Sequence, residues 1–77
     1  MNIKVASEVK VKAIAANLEA LHGLLLEAAK RSAEGYDLIQ RDEANGAIGA
    51  VIGLDAVLDD AKALYIAALA LHRLRAI

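Results

Sequence analysis

Two apolar rows run along the second half of this chain at helical spacing. The first, the small-residue stripe, comprises Gly46, Gly49, Gly53, Ala56, Asp60, Ala63, Ala67 and Ala70. The second row flanks it with larger side chains and comprises Val51, Leu54, Leu58, Ala61, Tyr65 and Ala68. Steps of three and four residues place each row on one side of an α-helix. Because a two-helix hairpin can cover only one of these faces, the pattern predicts self-association or a protein partner.

The composition favours an all-α protein of one small domain. The chain has 77 residues, of which 58% are hydrophobic and only 3% aromatic. Alanine, which is abundant here, is the best helix former, and the chain has no proline, the strongest helix breaker. A length of 77 residues allows one domain, predicted over 1–77.

The first helix is predicted over about 7–42, with Ser7 as its N-cap and Glu8 in its first turn. Its apolar seam repeats at alternating steps of three and four, as in helices that pack side by side. The residues of this predicted seam are Val11, Ile14, Leu18, Leu21, Leu25, Ala28 and Ser32. The second helix is predicted over about 47–75.

The chain reversal between these helices has three candidate positions. They are Gly35-Tyr36, the turn dipeptide Asn45-Gly46, and a separate short helix over 36–42. We favour a turn at about 42–46, because a reversal at Gly35 would leave the very apolar end of the chain overhanging. The predicted fold is an antiparallel two-helix hairpin that dimerises into a four-helix bundle.

The predicted surface for self-association follows the small-residue stripe, where another backbone can approach closely. It comprises Gly49, Gly53, Ala56, Asp60, Ala63, Ile66, Ala67, Leu69 and Ala70. Asp60 occupies a place in the stripe where glycine or alanine is expected, and a buried carboxylate needs a partner. We therefore predict that Asp60 pairs with Arg31 or Lys30 across the hairpin. The alternative is that Asp60 reaches solvent at the edge of the stripe.

No residue pattern indicates an enzyme, and we predict no catalytic, cofactor-binding or metal-binding residues. Neither serine lies in a nucleophile motif, and the glycines of the stripe are not followed by the Lys-Ser/Thr of a phosphate loop. Two histidines without a spacing motif, His22 and His72, are a weak metal signal. The acids Asp55, Asp59 and Asp60 are interpreted as a solvated face rather than a cation site.

The net charge is −1, which does not point to nucleic acid or an acidic membrane, but the charges are unevenly placed. An acidic group is expected at the hairpin tip, comprising Glu34, Asp37, Asp42 and Glu43. A basic group is expected at the open end, comprising Lys4, Lys10, Lys12, Arg73 and Arg75. In an antiparallel dimer each basic end would meet the acidic tip of the other copy.

The leading hypothesis is a small non-enzymatic interaction protein, a regulator, inhibitor or adaptor, that binds itself as a dimer or higher oligomer and also binds a protein partner. The charged interruptions of its apolar runs argue against a transmembrane span. The lack of cysteine is compatible with a cytoplasmic location. One alternative is a nucleic-acid-binding regulator that uses the basic end, although no aromatic residues are interleaved there. Another is a helical bundle that binds a membrane surface or an apolar ligand.

Overall fold

The computed structural model describes residues 6–75, and every regular element in that part of the chain is an α-helix. The helices are α1 (Ser7–Gln40), α2 (Ala44–Val51) and α3 (Leu54–Arg73). α1 contacts both α2 and α3, so the helices form a hairpin in which α1 is one arm and α2 and α3 are the other. The Cα extents of 59 × 19 × 11 Å describe a layer one helix thick. The all-α prediction is confirmed for these residues.

The chain reverses over residues 41–43, immediately after α1 ends. The Glu43 N–H donates to the Leu38 carbonyl at 2.9 Å, and the Asp42 N–H donates to the Ile39 carbonyl at 3.2 Å. Asp42 has φ 59°, so it takes the left-handed conformation that closes this type of helix end. Gly46, by contrast, lies inside α2. The reversal is therefore close to the favoured position, but its left-handed residue is Asp42 rather than a glycine.

The second arm is divided, which differs from the single helix predicted over 47–75. Ile52 has φ −62° and ψ 136°, and Gly53 has φ 81° and ψ −1°. These are the dihedral angles of the two central residues of a type II β-turn, which requires a positive φ at its second central position. Because glycine adopts a positive φ without steric cost, Gly53 ends one helix and begins the next.

The seam where α1 meets the other arm is displaced by about one residue from the prediction. The buried and half-buried positions of α1 that follow three-and-four spacing are Lys10, Ile14, Asn17, Leu21, Leu24, Ala28, Arg31, Gly35 and Leu38. Ile14, Leu21 and Ala28 belong to both sets. The predicted members Val11, Leu18, Leu25 and Ser32 are exposed. The prediction was wrong about these four, because Lys10, Asn17, Leu24 and Arg31 occupy the inner positions instead, and Lys10 and Arg31 donate hydrogen bonds to the backbone of the other arm.

The residues of the hairpin that are fully buried are very small. The buried residues of the described chain are Gly35, Ala47, Ala61 and Ala68. A Cβ placed on Gly35 would lie 3.0 Å from Val51 Cγ1 and 3.2 Å from the Ala47 carbonyl oxygen. The two arms therefore approach most closely where α1 passes α2, at a position where any side chain would be crowded.

Two glycines of α1 provide a matched test of this close approach. In Gly35→Ala, overpacking should lower the free energy of unfolding by about 1–3 kcal/mol, and better helix propensity should raise it by about 1 kcal/mol. The net expectation is a loss of up to about 2 kcal/mol. Gly23→Ala is expected to stabilise it by about 1 kcal/mol, because a Cβ at Gly23 meets nothing within 4 Å. Urea unfolding followed by circular dichroism at one protein concentration measures both. Equal stabilisation by the two substitutions would contradict the close packing at Gly35.

Candidate interaction surfaces

A layer one helix thick has two broad faces, and large apolar side chains line one of them. We call it the groove face. It is defined by two rows with seven-residue spacing, Val11, Leu18, Leu25 and Ile39 on α1, where Ser32 occupies the place between the last two, and Leu58 and Tyr65 on α3. Between the rows lies a cavity of about 360 Å³, lined by Leu21, Leu25, Leu58, Ala61, Lys62 and Tyr65. The groove face is thus mainly apolar, with Ser32 in one row and Lys62 beside the cavity.

The side chains of the groove face remain largely in solvent. Leu25 is 46% exposed, Leu58 47% and Tyr65 53%. Fourteen large apolar residues of the described chain are exposed, whereas its buried apolar residues are all alanines. Because monomeric proteins rarely leave large contiguous apolar patches in water, this distribution is typical of a surface that binds another molecule.

The small-residue stripe lies mainly on the other broad face. Ala56 and Ala63 each precede a groove-face residue, Leu58 or Tyr65, by two positions, which places them about 200° away around α3. Of the predicted interface, Ala67 is half-buried, and the exposed residues are Gly49, Gly53, Ala56, Asp60, Ala63, Ile66, Leu69 and Ala70. Leu69, four residues after Tyr65, belongs to the groove side. The hairpin leaves the predicted interface uncovered. It also leaves uncovered the groove face, whose side chains are larger.

The predicted ion pair between Asp60 and Arg31 or Lys30 is wrong. Asp60 is exposed, and Arg31 is directed to the backbone of the other arm. Its Nε donates to the Ala50 carbonyl at 3.0 Å, and its Nη2 donates to the Ile52 carbonyl. These oxygens have no partner within a helix because α2 ends there. The division of the second arm therefore supplies the acceptors that Arg31 uses.

Lys10 repeats this arrangement at the open end of the hairpin. Its Nζ donates to the Leu74 carbonyl at 2.9 Å, just beyond the C-terminus of α3. A cation is favourable near a helix C-terminus, where the carbonyl dipoles are directed outward. α1 thus contributes one cation to the end of each helix in the other arm.

The remaining predicted basic and acidic groups lie at opposite ends of the hairpin. Lys12, Arg73 and Arg75 are exposed at the open end, and the predicted Lys4 lies outside the described residues. The tip carries the exposed acids Glu34, Asp37, Asp42 and Glu43. Within residues 6–75 the ion pair is Arg41 with Asp37, at 2.9 Å across one helical turn. The hairpin is therefore polarised along its length.

The described residues contain no group of three or more His, Cys, Asp or Glu side chains that could hold a metal ion. His22 and His72 are both exposed. Ser32 donates its hydroxyl to the Ala29 carbonyl of its own helix at 3.0 Å. None of the described helices combines the length and the apolar character required to cross a membrane.

These features define the chain as a small all-α helical hairpin with uncovered apolar faces. No family model, curated protein or solved structure matches it.

Proposed function

We propose that this protein is a small non-enzymatic interaction module, a regulator, inhibitor or adaptor, that acts as a homo-oligomeric helical bundle. The observation behind the proposal is the exposure of large apolar residues: the fully buried apolar residues of the described chain are alanines, whereas fourteen large apolar side chains are exposed. A helix whose apolar residues extend beyond the face it buries is stable in water only when another surface covers the remainder.

The heptad pattern supports a bundle rather than an isolated hairpin. In the middle of α1 the inner seam supplies two apolar positions of the heptad, Leu21 and Leu24, and the groove face adds a third with Leu25. Leu58 and Tyr65 add the same third position on α3. Three apolar positions per heptad are typical of helices that face the core of a bundle, whereas two are sufficient for a coiled-coil pair. The uncovered apolar surface can also accommodate a helix of another protein, which would be the route to a regulatory role.

The cavity favours a second candidate function, the binding of an apolar small molecule. Its volume of about 360 Å³ is at the lower end of the range for ligand sites, and Lys62 at its edge could orient an anionic group. This candidate requires that the cavity stays accessible in the assembled protein. Binding of an anionic apolar dye to the assembled form, measured by fluorescence, would support it.

Sedimentation velocity over a wide range of protein concentration tests the leading proposal. We expect a species of at least twice the chain mass of 8.1 kDa. We also expect the thermal unfolding midpoint to rise with concentration, because dissociation accompanies unfolding in such an assembly. A chain that keeps its full helix content as a monomer throughout that range would contradict the proposal.

A further inference from the structure

We infer that the groove face is covered by a second copy of this chain in antiparallel orientation, with Leu25 of both copies beside the two-fold axis. This inference rests on the proposed homo-oligomer and specifies its face and its orientation. The partner is thus identical to the hairpin itself, and the apolar rows of each copy would pack against the same rows of the other.

The groove face has the dimensions that a stable dimer needs. The hairpin is 59 Å long and 19 Å wide, which gives each broad face a projected area of about 1,100 Å². A standard protein interface buries about 800 Å² on each partner. One face is therefore sufficient, and the groove face is the one that presents leucine, valine, isoleucine and tyrosine, with Lys62 beside its cavity. The small-residue stripe has the exposed carboxylate of Asp60 near its middle.

The groove face is also self-complementary about its centre. In a two-fold interface the same patch of both copies takes part, so a residue on the axis meets its own counterpart. Leu25 lies midway along α1 between Lys10 and Gln40. Lys10 is hydrogen-bonded to the Leu74 carbonyl at the open end, and α1 ends at Gln40. Val11 and Ile39 are equidistant from Leu25 along the same row. End-to-end reversal therefore places Val11 of one copy over Ile39 of the other, and the mid-length cavities face each other.

The charges favour antiparallel packing over parallel packing, in which the open ends of the two copies would lie together (end-aligned packing). Antiparallel packing brings the basic open end of each copy, with Lys12, Arg73 and Arg75, to the acidic tip of the other. End-aligned packing instead places like charges together at both ends. Each exposed pair is worth only about 0–1 kcal/mol, so the charges set the orientation while the apolar rows supply the affinity.

Single-cysteine variants test this geometry directly, because the chain has no cysteine of its own. With oxidation or a short bismaleimide, Leu25→Cys is expected to give a covalent dimer alone. Val11→Cys and Ile39→Cys are each expected to stay single-chain on a non-reducing gel and to give a covalent dimer when mixed. Ala63→Cys, on the other broad face, is the matched control and is expected to stay single-chain.

Sedimentation of the same variants before cross-linking separates the two levels of the proposal. A dimeric chain in which the Val11→Cys and Ile39→Cys mixture gives no covalent product would overturn the antiparallel groove packing and leave the homo-oligomer intact. A covalent dimer of Ala63→Cys alone would assign the interface to the small-residue stripe instead. A monomeric chain would overturn the proposed function itself.

Discussion

Leu25→Asp is expected to convert the assembled protein into monomers, whereas Leu26→Asp is expected to leave it assembled. Leu25 lies on the groove face and Leu26 on the back of α1, and they are 46% and 57% exposed in the single hairpin. A two-fold dimer loses two leucines at once, and burying the exposed half of each is worth about 1 kcal/mol. The dissociation constant should therefore rise at least about thirtyfold, and further because each aspartate would bring an unpaired carboxylate into the interface. Sedimentation equilibrium measures it.

The neighbouring leucine is a close control for this change. Both substitutions introduce the same charge and the same loss of helix propensity, one position apart in the middle of α1. In an isolated hairpin the two would have similar effects, because the two side chains are similarly exposed. Equal dissociation constants for the two variants would therefore exclude the groove face as the interface.

Arg31→Met is expected to lower the free energy of unfolding by about 1–3 kcal/mol, because it removes two hydrogen bonds from a charged donor. The carbonyl oxygens of Ala50 and Ile52 lose their partner in the other arm, while methionine keeps much of the aliphatic stem. We expect the effect to be local, with faster amide hydrogen exchange in α2 than in α3. Denaturant unfolding and hydrogen exchange measure the two effects.

Lys30→Met is the control for that prediction. Lys30 is the adjacent cation on α1 and is exposed, so its replacement should change stability by less than about 0.5 kcal/mol. If the Arg31 and Lys30 variants unfold alike, the contact between Arg31 and the end of α2 contributes nothing to stability.

The sequence predicts the fold class of this protein better than it predicts the packing of its arms. Alanine content, absence of proline and helical spacing are local properties, and they indicate helices. The reversal near residue 42 was favoured because a turn at Gly35 would leave the apolar end of the chain without a partner. The inner seam depends on which of two adjacent rows faces the other arm. Hydrophobicity favours the row with Leu18 and Leu25, but Lys10 and Arg31 gain backbone acceptors only in the folded hairpin.

The division of the second arm had a signal that was present but ambiguous. Gly46, Gly49 and Gly53 are equally compatible with a stripe of small residues on one helix and with a turn. Only Gly53 has a positive φ, because only there does the chain turn between α2 and α3. The same ambiguity affected the candidate interface. Small residues at regular spacing predicted contact along the stripe, whereas the structure also leaves a row of large apolar side chains exposed on the groove face, including Leu18 and Leu25.

The hydrogen bonds from Lys10 and Arg31 fix how the two arms of the hairpin are aligned along their length. Their acceptors at Ala50, Ile52 and Leu74 are main-chain oxygens, which persist whatever side chain the residue carries. Sliding the arms by one heptad would leave Arg31 opposite an intact helix whose carbonyls are already occupied. The alignment of the arms is thus encoded in Lys10, Arg31 and Gly53. The exposed side chains of the acceptor residues Ile52 and Leu74 are free to vary, whereas Ala50 is half-buried beside Gly35.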